Sequence, residues 1–397
     1  MKRSGLILIL ILVMVALIIV QLVRPVPTIT VKSTLPATYQ VPGLPPTIHW
    51  PTGGESALAV SGIGEIGHAG PETPLPIASV AKIMTALLVL EKHPLAAGSD
   101  GPSLTISARD VATYQRDVAQ GQSTAQVAVG EQLSERQLLE ALMLPSANNI
   151  AMVLAQWTGG NTQNFIQMMN KKAQQLGMVH TVYTDPSGLR HSTVSTAEDQ
   201  LKVAAAAMQI PAFRHIVRMP QANLPVAGTV YNVDYALGTD GIIGVKTGST
   251  PHDGGSFVFA AYKTIDGQRV LILGSVLAQG GISPLTTALT QGETLIQDAS
   301  QSVTTVKVAI TGDPGAQILP LWSHPVTATM AKTVSFVGWP GMNVHLNVSA
   351  KNLGTELKPG AIVGNVEVSA GTQSAIIPLI SEQGISPAPY SWRLKRL

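Results

Sequence analysis

Cysteine is absent from the 397 residues, which removes disulfides, thiolate catalysis, cysteine-bound zinc and a lipid-bearing cysteine in one step. Charge is scarce as well: Asp, Glu, Lys and Arg make up 12% of the chain and the formal net charge is +2. A nucleic-acid partner calls for a clustered basic face, and none is present, so no nucleic acid is expected. The nine histidines contain no H-E-x-x-H or comparable pair, so neither a zinc peptidase nor any other metal or cofactor is indicated. No repeat of solenoid length occurs.

What the sequence does have is a long apolar run. Lys2 and Arg3 precede a stretch from Leu6 to Val23 interrupted only by Gln21, about the ~20 residues needed to cross a bilayer. The run exceeds the roughly 7–15-residue core of a cleaved signal, and no A-x-A-like site follows it. Residues 1–26 are therefore read as a membrane anchor in preference to a cleaved signal. With positive charge ahead of the run, the remainder lies outside the cell membrane. Residues 27–50 are rich in Pro, Thr and Val and are expected to form an extended spacer.

The body divides by texture. A hairpin across Ser61-Gly62, a helix from about Leu75, and mostly helical sequence from Ser107 to Gln175 come first. Ser134 and Gln137 stand at capping-box spacing. "GIIGVKTGS", "GGSFVFAAYKT" and "QRVLILGSVLA" then read as antiparallel strands, the last two joined across Asp266-Gly267. A helix, "PLTTALTQGETLIQDAS", closes a predicted domain at 51–300. Mixed helices with antiparallel strands specify an α+β fold, an antiparallel sheet flanked by helices with a helical subdomain. Residues 301–397 carry short β-rich runs bounded by Gly, Pro and Asn, the pattern of a small all-β sandwich.

Three short motifs carry chemistry. Ser79 and Lys82 form the chain's one S-x-x-K, at i,i+3 and so on one helix face. A lysine near the positive end of a helix dipole is misplaced for stability. It is well placed to be a neutral base for a serine nucleophile. Ser146 and Asn148 follow Pro145 in a polar S-A-N between apolar stretches, a setting for cleft-lining side chains and equally for a helix cap. Lys246 and Thr247 lie on a predicted strand, able to hold a carboxylate by charge and hydroxyl. Gly248 after them suggests close approach of a ligand or another backbone.

In this order and context the three motifs are those of penicillin-binding proteins and class A β-lactamases. With "FIQMMNKKAQQLGMVHTVYTDPSGL", "STAEDQLKVA" and "DGIIGVKTGST", the chain resembles the serine D-alanyl-D-alanine carboxypeptidases, the low-molecular-mass penicillin-binding proteins. The resemblance runs from about Ile77 to the C-terminus. It implies a β-lactamase/transpeptidase-like domain, peptidoglycan stem peptides as substrate, and β-lactams as inhibitors. It makes Ser79 the acylated nucleophile, Lys82 its base and Ser146 a proton relay. Asn148 would orient the substrate amide, Lys246 and Thr247 would bind the terminal carboxylate, and the N–H groups of Ser79 and Ser249 would form the oxyanion hole. Asn149 departs from the family, which often has aspartate there. A class A β-lactamase needs a deacylating glutamate between the second and third motifs, where Glu198 alone stands, in what reads as a first helical turn. The other alternative is a silent receptor, against which intact Ser79, Lys82 and Lys246 argue.

Overall fold

The computed structural model describes residues 3–96 and 98–396; Lys2, one of the two charges ahead of the apolar run, lies outside them. The chain forms two compact units, Pro46–Thr304 and a second built from Met1–Pro45 with Thr305–Leu397.

The larger unit is organised on five strands: β1 (Glu55–Val60), β2 (Gly64–Ala69), β3 (Ile242–Thr250), β4 (Gly254–Ile265) and β5 (Gln268–Gln279). Their order is β3-β4-β5-β1-β2, every neighbour antiparallel. The β4–β5 turn has positive φ at both Asp266 and Gly267, as a two-residue hairpin whose twist matches its strands requires. β4 is buried on both faces, and the period of two sorts its side chains. Val258 and Ala260 join the helical core, while Phe257, Phe259 and Ala261 pack with Leu295 and Ile296 of the helix Pro284–Ser302.

On the first face lie helices Lys82–Lys92, Glu135–Met143, Asn148–Gly159 and Ala197–Ala207. The first is buried from Lys82 through Leu90, which makes it the central element and explains why it carries alanine, methionine and leucine in place of a polar face. The helix at Glu135 starts as the sequence predicts. Ser134 Oγ accepts from Gln137 N at 3.2 Å and Gln137 Oε1 accepts from Ser134 N at 3.0 Å.

The second unit corrects the spacer expectation for 27–50. Thr30–Ser33 and Thr38–Gln40 are strands, one at each edge of a seven-stranded sheet whose interior strands come from residues 314–381. Extended polyproline-like backbone and β-strand share one region of φ/ψ space, so a Thr/Val run between prolines pairs wherever an edge is free. Edges are also where flanking proline is tolerated. The sheet is one curled layer, accompanied by a two-stranded sheet of Thr304–Ala309 and Val334–Gly338, and not a pair of matched layers. Five Cα steps from Ser33 to Thr38 reach at most ~18 Å, whereas the edges of a flat sheet of this width would stand ~29 Å apart. Only curling lets so short a link serve both edges.

The same unit holds the N-terminal helix Arg3–Val23. Its segment Gly5–Val23 has a mean hydropathy of 3.5 and none of it is buried. Arg396 donates to the carbonyl oxygens of Gln21 at 3.1 Å and Pro25 at 2.9 Å, and to that of Arg24, satisfying acceptors that a helix end leaves free.

Candidate active site

Ser79 sits in a short 3₁₀ turn, Ala78–Ala81, that runs directly into the helix beginning at Lys82. Ala78 has φ of 46°, a left-handed residue that sets the turn against its neighbours. One of them is Gly188, where a Cβ would lie 1.7 Å from Ala78 O, so the loop 184–190 backs directly onto the turn that carries Ser79.

Lys82 is fully buried. Its Nζ lies 2.8 Å from Ser79 Oγ, and donates to Asn148 Oδ1 at 2.7 Å and to the carbonyl of Ser187 at 3.0 Å. Burial holds this amine well below its ordinary value, the charge of Lys246 lowers it further, and Asp185 opposes both. Asp185 also shapes the loop: its Oδ2 accepts from Ser187 N at 3.1 Å and Ser187 Oγ at 2.7 Å, and its Oδ1 from Thr193 Oγ1 at 2.6 Å. The loop thus presents the Ser187 carbonyl in one orientation.

The S-A-N turn is strained and closely held. Ser146 has φ of 66° and a buried Oγ without a hydrogen-bond partner among the described residues, so the structure does not join it directly to Ser79 or Lys82. Such an unsatisfied hydroxyl costs about 1–3 kcal/mol and is suited to a partner arriving with substrate. Asn148 bridges Lys82 to Gln122, whose Oε1 accepts from Asn148 Nδ2 at 2.9 Å. The departure at Asn149 has a structural use. Its Oδ1 accepts from Ala125 N at 3.1 Å and its Nδ2 donates to Ala125 O at 2.9 Å, a pairing that an ionised aspartate, which only accepts, cannot complete.

Lys246, Thr247 and Gly248 lie on β3, all buried, with Ser249 exposed after them. Lys246 Nζ donates to Thr247 O at 3.0 Å. Burial pushes Lys246 down to about 7, opposed by the charge of Asp234. Asp234 is itself pushed up to about 6 by burial, and its Oδ2 has no hydrogen-bond partner among the described residues. A Cβ at Gly248 would lie 2.9 Å from Ser79 N and 3.1 Å from Ile77 O, so this strand passes against the backbone of Ser79. Gly248→Ala should therefore fold with β3 displaced from Ser79 N and acylate about 10²-fold more slowly, the effect of misplacing one oxyanion donor. A parental acylation rate in a stopped-flow assay would show that the close approach has no catalytic use.

The three motifs thus converge. Next to them lies a cleft of about 300 Å³ lined by Asp117, Gln122, Asn148, Asp185, Ser187 and Arg190, among others. Glu198 is elsewhere: it begins the helix Ala197–Ala207, and its Oε1 lies 2.9 Å from His68 Nδ1.

A family model described as D-alanyl-D-alanine carboxypeptidase matches residues 66–276. The chain belongs to this family. A D-alanyl-D-alanine endopeptidase of Pseudomonas aeruginosa is 33% identical over 178 residues, covering 45% of this chain and 54% of that protein. A D-alanyl-D-alanine carboxypeptidase of Streptomyces sp. is 33% identical over 226 residues, covering 51% of this chain and 72% of that protein. The crystal structure of the Streptomyces K15 DD-transpeptidase superposes with a TM-score of 0.54 at 27% identity, covering 66% of this chain and 98% of its own. The match bears out the α+β, transpeptidase-like fold implied by the sequence. Sequence reasoning missed Gln122, Asp234 and the Ser187 carbonyl in this family member. Only the Asp-Pro-Ser-Gly turn at 185–188 carried a local signal, as a stretch that must fold sharply.

Proposed function

We propose that this carboxypeptidase-family protein removes the terminal D-alanine of peptidoglycan stem peptides through an acyl-Ser79 intermediate, and that β-lactams trap that intermediate. The supporting observation is the 2.8 Å contact between Ser79 Oγ and the Nζ of a lysine whose pKa burial holds well below its ordinary value. The Ser79 hydroxyl proton passes to Lys82 as Oγ bonds to the penultimate D-alanine carbonyl carbon. The developing oxyanion is held by the N–H groups of Ser79 and Ser249. The C–N bond then breaks, and the leaving D-alanine amine takes the proton by way of Ser146. Water hydrolyses the ester and regenerates Ser79. Asn148 orients the substrate amide, while Lys246 and Thr247 hold its terminal carboxylate.

The exposed apolar helix Gly5–Val23 attaches the chain to the cell membrane, with the catalytic unit on the wall side. Incubation with benzylpenicillin should give a single covalent adduct by intact-mass measurement, and an acyl-D-Ala-D-Ala peptide should release free D-alanine. An adduct without D-alanine release, with or without an amine acceptor, would leave a penicillin-binding receptor instead of an enzyme.

A further inference from the structure

In the neutral form that a base requires, the Lys82 amine has two hydrogens and one lone pair, and its three polar neighbours divide accordingly. Asn148 Oδ1 and Ser187 O only accept. They consume both hydrogens and leave the lone pair for the Ser79 hydroxyl. The Ser187 carbonyl is backbone, fixed by the Asp185 loop. The Asn148 amide is not fixed in the same way, because its oxygen and nitrogen are sterically alike and their places are set by the network around them. Rotated by half a turn, Asn148 would aim an N–H at Lys82 and occupy the lone pair that must take the Ser79 proton.

What prevents this is outside the three motifs. Asn148 Nδ2 donates to Gln122 Oε1 at 2.9 Å, and Gln122 Nε2 donates in turn to Gln120 Oε1 at 2.6 Å. From Lys82 outward, each group donates to the next, so one direction of hydrogen bonding runs from the base to the surface. The segment bearing Gln122 is docked on the same helix start by Asn148 N, which donates to Ser123 O at 2.8 Å, and by the paired Asn149–Ala125 bonds. We propose that Gln122 is a positioning residue for acyl transfer: its side-chain oxygen fixes the Asn148 amide and thereby aims the Lys82 lone pair at Ser79. This rests on the acyl-Ser79 reading above.

Three substitutions at one position test it, read as the rate of acylation by benzylpenicillin across pH, with thermal unfolding to establish folding. Gln122→Leu removes the acceptor and should slow acylation about tenfold, the value of one hydrogen bond. Gln122→Lys offers only donors, favours the rotated amide, and should slow it further, on the order of 10²-fold. Gln122→Glu keeps the acceptor and should stay within about threefold of the parent at its plateau. Its acidic limb should move to higher pH, because the added carboxylate stabilises the Lys82 ammonium. Folded Leu and Lys variants that acylate at the parental rate with an unmoved limb would overturn the role of Gln122, as would a Glu variant as impaired as the Lys variant. A parent protein that takes up no penicillin would instead overturn the acyl-serine reading itself, and this inference with it.

Discussion

Ser79→Ala protein should fold like the parent, take up no benzylpenicillin, and release D-alanine on the order of 10⁶-fold more slowly, the scale on which a serine peptidase loses rate when its nucleophile is removed. The fold should be indifferent because Ser79 lines the site and, among the described residues, its Oγ hydrogen-bonds only with Lys82 Nζ, which keeps two carbonyl partners without it. Two neighbouring serines are poorly placed to substitute. Ser146 is held in a left-handed turn with its hydroxyl buried, and Ser187 Oγ is committed to Asp185 at 2.7 Å. A folded Ser79→Ala protein that still forms the adduct would remove Ser79 as the acylated group.

Lys82→Arg should be nearly as damaging, on the order of 10³-fold or more in acylation, because a guanidinium accepts no proton at working pH. The pH profile of the parent should show why. As the proposed base, Lys82 must be neutral, so kcat/KM should climb as pH rises through its depressed pKa. As the proposed carboxylate ligand, Lys246 must be charged, so kcat/KM should fall again as pH rises past about 7. The result is a bell whose alkaline side belongs to substrate binding. A substrate with its terminal carboxylate masked should react poorly and should lack that side. Retention of the alkaline fall with the masked substrate would take Lys246 out of carboxylate recognition, and near-parental acylation by Lys82→Arg would take Lys82 out of proton transfer.

The features legible in the sequence are those that one side chain announces locally. Ser134 with Gln137, the Asp266-Gly267 turn and the three motifs each depend on residues a few positions apart, and the structure has them where their spacing put them. The unread features depend on partners distant along the chain. The acceptor on Lys82 from residue 187 is a backbone carbonyl 105 residues away, and a carbonyl has no residue type to recognise. Gln122 is an ordinary polar residue until Asn148, 26 residues on, is placed beside it. Thr30–Ser33 reads as a spacer because its pairing partner, Pro314–Leu319, comes almost at the other end of the chain.

That last pairing bears on the order in which the protein is made. Thr30 faces Leu319, 289 residues further on, so this strand, once synthesised, waits for nearly that much chain before its ladder exists. For a flexible chain, closing a loop of this length costs about 3 kcal/mol more than closing a ten-residue hairpin, and such remote pairings form slowly. A nascent chain that folds Pro46–Thr304 first replaces most of that flexible loop with one compact body. Until then Thr30–Ser33 and Thr38–Gln40 remain unpaired strand segments, open to the wrong neighbour. A chain stopped at Ser300 retains the three motifs but never makes the strands its N-terminal segment pairs with, so aggregation is its expected hazard.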